Sequence, residues 1–489
     1  MNTVHLHSSL CMVHMVWGGI YITPTRSLHS TGCRVGVQLM VPHQRSGGLK
    51  RPRCFWFLQR HKLQFTTKSF PFTANPSFSL PLAFTKLYLR LSQAVPMSEA
   101  YEGRGVSSRK TEVRRAANRM TAAAPTVSES TFCRLLPDHL VGSADHLMAL
   151  HADTAGSKPV LAYLYWRETG DMSVWPGIIQ DAIVMNTDDL ACVGMTDNFI
   201  CSATLSRNRY LVPVPIVEYL IAAGGQFVDW LNEMGIAAWH AGGETADVGD
   251  IVRTLDVGYT VAARIAREQL ITIEPQVGDV IVGLASDGQT TYETIPNSGI
   301  GSNGLTSARH DLLSRHYADY FPESFDPLVP PHLAYVGRWR LTERPEADGP
   351  TVGELLLSPT RTYLPVLRAV LSAHSASIRG IVHNTGGGQT KCLRYIGSGL
   401  HVIKDNLFAP PPVFRLIQEA LPTNWREMYG TFNMGSRMEI YTDRQTAEQL
   451  IAICSSFNLR AQVVGRFEAI DGPSRLTVVH EGAEYVYAE

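Results

Sequence analysis

From Leu147 onward the chain alternates short apolar runs with longer stretches of helical spacing, and this order limits the folds open to it. LMALHAD and NFICSATLS read as strands. Between them, VWPGIIQDAIVMNTDDLACVG carries Pro176 in its first turn and apolar Ile179, Ala182, Ile183 and Leu190, the spacing of a buried helix. PVPIVEYLIAAGGQFVDWLNEMG predicts a long amphipathic helix closed by Gly235, and IAAWHAGG and RTLDVGYTVAARI predict two further strands. A proline-containing connector occupies the region near residues 267 to 279. Beyond it come strand DVIVGLAS, helices LTSARHDLLSRHYADYF and LPVLRAVLSAH, strand IRGIVHN, and a triple-glycine turn with a helix behind it. Strand GLHVIKDN, helix PPVFRLIQEAL, strand RMEIYTD, helix RQTAEQLIAICSSF and strand RAQVVGRF complete the order. Mixed sheets covered by helices satisfy it, so the expected class is α/β (α+β) in two domains, residues 97–275 and 276–489.

Charge separates the first 96 residues from this body. The 489 residues carry 43 Lys and Arg against 44 Asp and Glu, but the first acid is Glu99 and 11 of the basic residues precede it. The remainder has 32 basic and 44 acidic residues, a balance of about −12 that argues against a nucleic-acid surface. The acid-free segment overlaps in composition with an organellar transit peptide, yet ordinary composition begins abruptly at Met97, which also suits a leader ahead of the true start. On either reading residues 1–96 are expected to be a basic, non-globular leader without function. Eight cysteines lie scattered without a C-x-x-C pair or a Cys/His cluster at metal spacing, which suits a reducing compartment. No stretch reaches roughly 18 consecutive apolar residues, so no membrane span is expected. The expected location is the cytoplasm, with organelle import as the alternative.

GIGSNG at residues 299 to 304 spells G-x-G-x-x-G, but the polar, proline-containing DGQTTYETIPNSG separates it from the strand that a dinucleotide turn requires. Ser302, Asn303 and Gly304 instead stand where a helix begins, and free backbone N–H groups there attract phosphate or simply cap the helix. No Walker A loop occurs anywhere, and GGGQTK at 386 to 391 has the wrong spacing. Asp153 follows a strand, Asp188 and Asp189 end a helix, and Glu244 and Asp247 lie in AGGETADVGD. Such acids either cap and solvate loop ends or hold a divalent cation against phosphates. Lys158 in HADTAGSKP could offset phosphate charge. His383 ends a strand before three glycines, where it serves proton exchange or a purely internal hydrogen bond.

Seven of these loops, taken in order over roughly residues 100 to 470, resemble the phosphoribosylformylglycinamidine cyclo-ligase (aminoimidazole ribonucleotide synthetase) family. DTAGSK is similar to its DGVGTK element, TDDL to NDL, GGETAD to GGETAE, GSNG to HSNG, LSPTRTY to PTRIY, HNTGGGQTK to HITGGG, and MYGTFNMG to MY-TFNMG. The resemblance implies a homodimer whose N-terminal domains pair into a barrel, bind ATP and Mg2+, and leave the substrate to the C-terminal domain. It implies ATP-dependent closure of formylglycinamidine ribonucleotide to aminoimidazole ribonucleotide through a phosphorylated amide oxygen, in purine biosynthesis. Carried over by motif, Asp153, Asp189 and Glu244 would hold the metal, with Gly156, Lys158, Asp188 and Gly243 also at the nucleotide. Ser302, Asn303, Gly304, Arg361, Thr385, Gly386, Gly387 and Gly388 would line the substrate cleft, and His383 and Lys158 would act in catalysis. Three departures stand out: Gly301 replaces the histidine of HSNG, Asp188 the asparagine of NDL, and Thr154 with Ala155 the Gly-Val of DGVGTK. The glycine-rich stretch that precedes DGVGTK in the family is reduced to TFCRLLPDHLVGSADH. Another ATP-using enzyme of the same fold, or a catalytically inactive nucleotide-binding relative, is the alternative.

Overall fold

The computed structural model describes residues 101–106, 130–420 and 424–488, together with four short strands in the first 64 residues. Those four pair as Thr3–Ser8 with Cys11–Val16 and Phe57–Gln59 with Lys62–Gln64. The expectation of a non-globular leader otherwise falls outside the described residues. Residues 93–489 form a unit of their own.

That unit contains two mixed sheets. In the first, β1 (Leu136–Pro137), β2 (His146–Thr154), β3 (Phe199–Arg207), β4 (Ala238–Asp247) and β5 (Leu255–Ala266) take the order β1-β2-β5-β3-β4. Strict alternation of burial along β3, with Phe199, Cys201, Ala203 and Leu205 buried, directs one face of this sheet inward. Helices α1 (Lys158–Thr169), α2 (Trp175–Ala191) and α3 (Val214–Glu233) follow the predicted strands, and α2 packs on β2 and β5. Pro159, Pro176 and Pro215 stand in the first turns of these helices, where a missing N–H costs nothing. The opposite face is open: Leu150, Ile200 and Trp239 are each at least half exposed.

The second sheet holds β6 (Val280–Ala285), β7 (Ile378–His383), β8 (Leu400–Lys404), β9 (Ser436–Thr442), β10 (Ala461–Ala469), β11 (Arg475–His480) and β12 (Ala483–Ala488), in the order β7-β9-β6-β10-β8-β11-β12. β6 and β9 are buried along their whole length: β6, VIVGLA, is a continuous apolar run, whereas β9, SRMEIYT, also buries Arg437 and Glu439. One expected helix is broken. LTSARHDLLSRHYADYF gives α4 (Leu305–Leu312) and a separate turn of helix at His316–Tyr320, because Leu313 and Ser314 adopt bridges to Trp339 and Gly337. Among the described residues no helix is long and apolar enough to cross a membrane, and the five cysteines there are buried and unpaired.

Candidate active site

A ring of contacts joins the loops singled out in the sequence. Just beyond β2, Gly156 (φ 62°) stands where an added Cβ would lie 3.5 Å from the Ser302 carbonyl, and Ser157 Oγ lies 2.9 Å from Thr306 Oγ1. The turn before α4 is held from below by Asn433, whose Nδ2 donates to the Gly299 carbonyl at 2.9 Å while its Oδ1 accepts from Ser286 Oγ. Ser302 Oγ meets Thr360 Oγ1 at 3.1 Å, and Gly304 (φ 78°) begins α4 without a side-chain cap. Gly386 faces the Asn303 side chain. Gly387 and Gly388 both have positive φ, and the chain beyond them forms a short 3-10 turn over Gly388–Arg394.

Asp189, in the last turn of α2, lies at the centre of the ring. Its carboxylate accepts from His383 Nδ1 at 2.7 Å and faces His151 Nε2 at 3.5 Å. His151 in turn donates from Nδ1 to Asn186 Oδ1 at 2.8 Å, an acceptor because Asn186 Nδ2 already donates to the Ala182 and Tyr259 carbonyls. Burial works against the Asp189 anion, but the two histidine hydrogen bonds outweigh it and hold the carboxyl well below the usual range. Asp153 is a neighbour whose pKa is raised, first by burial and then by the charge of Asp189. His151 is also held above its ordinary value: desolvation opposes the charged form, and the Asp189 hydrogen bond and charge prevail.

Two carboxylates on separate elements, one firmly ionised, match the donor chemistry of a Mg2+ ion that completes its shell with phosphate oxygens and water. Glu244 does not join them. Asp153 shares a cross-strand row with Tyr259, Ala203 and Gly243, whereas Glu244 belongs to the next row, beside exposed Thr204. Adjacent rows point to opposite faces, so Glu244 lies on the open side of the sheet and about 14 Å away, three strand spacings. Gly243 is there to let β4 approach Ala203, which a Cβ would strike. Among the described residues no three Asp, Glu, His or Cys side chains are grouped to hold one cation.

Four other expectations are corrected by burial. Lys158 is fully enclosed, and its ammonium donates to Asp181 Oδ1 at 2.9 Å and to the Ser358 carbonyl at 2.6 Å, so it ties α1 to the 358–362 loop instead of facing phosphate. Arg361 spends all five N–H donors internally, on Glu293 and on the carbonyls of Ala285, Asp287 and Gly288. Asp188 accepts from Thr362 Oγ1 and Tyr363 N, at the base of helix α5 (Leu364–His374), and touches no cleft. His383 is enclosed with both ring nitrogens engaged: Nδ1 donates to Asp189, and Nε2 accepts from Arg437 Nε at 3.0 Å. Burial first, and the Arg437 charge with it, push its pKa down to about 4 despite Asp189, so it is a neutral orienting group and no proton donor.

The lysine near the acids is Lys391. Its Nζ donates to Thr385 Oγ1, lies 4.7 Å from the Phe132 ring centroid, and feels the charges of Asp189 and Asp153. It closes the stretch HNTGGGQTK, whose spacing is not that of a P-loop. A separate cavity of about 500 Å³, between α3 and the 292–297 loop and lined by Phe227, Trp230 and Tyr292, contains none of these groups.

Residues 276–475 match the family described as AIR synthase related protein, C-terminal domain. The phosphoribosylformylglycinamidine cyclo-ligase of Methanocaldococcus jannaschii is 30% identical over 331 residues, covering 66% of this chain and 78% of that protein. The chain belongs to the phosphoribosylformylglycinamidine cyclo-ligase family. The cyclo-ligase of Methanococcus vannielii is also 30% identical, over 354 residues that cover 69% of this chain and 84% of that protein. Among solved structures, phosphoribosylformylglycinamidine synthase II from Thermotoga maritima is 14% identical with a TM-score of 0.42, covering 83% of this chain and 53% of that one. AaThiL complexed with AMPPCP and TMP is 11% identical with a TM-score of 0.45, covering 77% and 96% respectively.

Within the cyclo-ligase family's pattern, the Asp188 departure carries a measurable consequence. Full burial raises its pKa to about 7, against the hydrogen bonds from Thr362 and Tyr363 that favour the anion. A folded-state value above the unfolded one means that the native protein binds this proton more tightly, so stability falls as pH rises from about 4 to about 7. Asp188→Asn removes that loss. In chelator-treated protein its melting temperature should match the parent near about pH 4 and exceed it by several degrees near about pH 8. A constant offset at both values would show that Asp188 does not titrate in this window.

Proposed function

We propose that this chain closes the imidazole ring of aminoimidazole ribonucleotide from formylglycinamidine ribonucleotide, with ATP converted to ADP and phosphate. The observation that carries this reading is the ring of loops that gathers Asp153, Asp189 and Lys391 beside the 384–388 turn, with the loop after β2 meeting the turn at 299–304, in a chain of the cyclo-ligase family. Bound MgATP supplies the phosphoryl group that turns the formyl amide oxygen into a leaving group and permits attack by the amidine nitrogen. Asp153 and Asp189 would hold the metal, with His151 and His383 fixing the Asp189 carboxylate. Lys391 offsets phosphate charge in the role expected of Lys158. The open backbone at Gly386 and the N–H groups ahead of α4 receive the ribotide.

The exposed apolar strip of Leu150, Ile200 and Trp239 supports a homodimer in which a second copy covers the first sheet. Glu244 lies on that same face, so it would serve the dimer contact and not the metal of its own chain. The test uses the purified full chain with MgATP. ADP should appear in step with aminoimidazole ribonucleotide only when formylglycinamidine ribonucleotide is present, and light scattering on the same sample should give twice the chain mass. ATP consumption without the ring-closed product would favour a sister phosphotransferase, and no substrate-dependent ADP would overturn the reading.

A further inference from the structure

Four buried cations of this fold are paired with anions, while Arg309, Lys391 and Arg437 meet only neutral groups, and of these Arg437 lies over the turn at 299–304. Lys158 pairs with Asp181, Lys404 with Glu439, Arg104 with Asp311 and Arg361 with Glu293. Arg437 is only 3% exposed, yet its hydrogen bonds run to His383 Nε2 and, at 3.6 Å, to the Met185 sulfur, with no carboxylate at ion-pair distance among the described residues. The charges of Asp188, Asp181 and Asp189 reach it only from beyond ion-pair distance, which leaves the guanidinium free to bond a ligand anion directly.

The position of the free end defines which ligand that is. Arg437 Nη1 has no protein acceptor among the described residues and lies over Gly301, where a Cβ would stand 3.0 Å from it. This is the residue at which the chain carries glycine in place of the histidine of HSNG. A histidine here would meet the guanidinium, so the two features are coupled: the side chain missing from the turn is answered by one arriving from β9. His383 also separates two environments, since its Nδ1 edge holds Asp189 and its Nε2 edge holds Arg437. The metal and nucleotide belong on the carboxylate side, which leaves the arginine side to the ribotide.

We propose that Arg437 is an anion-binding residue of the ribotide site, filling the place of the motif histidine and engaging a negatively charged oxygen of the substrate. The proposal rests on the ring-closing reading above. Two oxygens share this chemistry, the ribotide phosphate and the amide oxygen as it gains charge during reaction, and both suit a guanidinium.

Steady-state kinetics and calorimetric titration of formylglycinamidine ribonucleotide separate them in Arg437→Gln, whose amide can still donate to His383. Weaker titrated affinity by roughly 10- to 100-fold, with ATP KM little changed, assigns the phosphate. A similar loss in kcat at unchanged affinity assigns the amide oxygen. A purely structural arginine would give neither: the variant would melt lower and retain parental kcat and affinity, and that result overturns the proposal. If Arg437→Gln does not fold, Arg437→Lys retains the charge but not the second nitrogen, and parental affinity and kcat in it count against the proposal equally. Gly301→His alone should lower the melting temperature through its φ of 68° and overlap with Arg437, and Gly301→His combined with Arg437→Ala should recover part of that loss and part of the lost turnover. Absence of ring closure by the parent protein would instead reject the functional reading, which keeps the two failures distinct.

Discussion

Asp189→Asn is expected to lower ring-closure turnover by roughly 100-fold or more while the melting temperature stays within a few degrees of the parent. The amide keeps the shape of the carboxylate: its oxygen accepts from His383 Nδ1, and its nitrogen faces His151 Nε2 as a donor. What disappears is the charge, and with it one of the two anionic oxygens available to Mg2+. The expected signature is a strongly reduced kcat accompanied by a raised Mg2+ requirement. Parental activity in this variant would remove Asp189 from the metal role. Large unfolding would show instead that its charge holds the histidines in place.

The triple-glycine turn gives the second large effect, and its members are expected to behave differently. A Cβ on Gly388 would overlap the backbone carbonyl oxygens of Tyr429 and Phe432, at a φ of 51° that disfavours any side chain. Gly388→Ala should therefore destabilise the fold by about 3 kcal/mol and abolish turnover. At Gly386 the nearest protein atom to an added methyl is Asn303 Nδ2 at 3.9 Å, an ordinary contact. Gly386→Ala should leave the unfolding free energy within about 1 kcal/mol of the parent while raising ribotide KM roughly tenfold, because only a bound ligand meets the methyl. Denaturant melts and initial rates measured on both proteins check the contrast. Unchanged ribotide KM in Gly386→Ala would move the substrate away from this turn.

Elements with strong periodicity or clear caps were legible from the residues: α2, α3 and the strands flanking them follow apolar spacing that burial then enforces. The helix after Leu312 was not, because its interruption depends on pairing of Leu313 and Ser314 with Gly337 and Trp339, more than 20 residues on. The same distinction divides the site. Asp153 and Asp189 could be chosen because each ends an element near a recognisable loop. Whether a charged side chain faces the cleft or the interior depends on partners remote in sequence. Lys158 finds Asp181 and Ser358, Arg361 finds Glu293 and three carbonyls, and Asp188 finds the Thr362 turn. The role of Arg437 is not legible for the same reason, although an arginine inside the strand-like run RMEIYTD is a signal that the sequence carries.

Helix α2 carries the ionised Asp189 in its last turn and no basic residue there, at the end where backbone carbonyls already concentrate negative potential. Free nucleotide approaching such a terminus meets repulsion, in contrast to the welcome that a helix beginning gives phosphate. On the ring-closing reading, this polarity requires a divalent ion to arrive together with the triphosphate or ahead of it, and makes uncomplexed ATP a poor occupant however abundant it is.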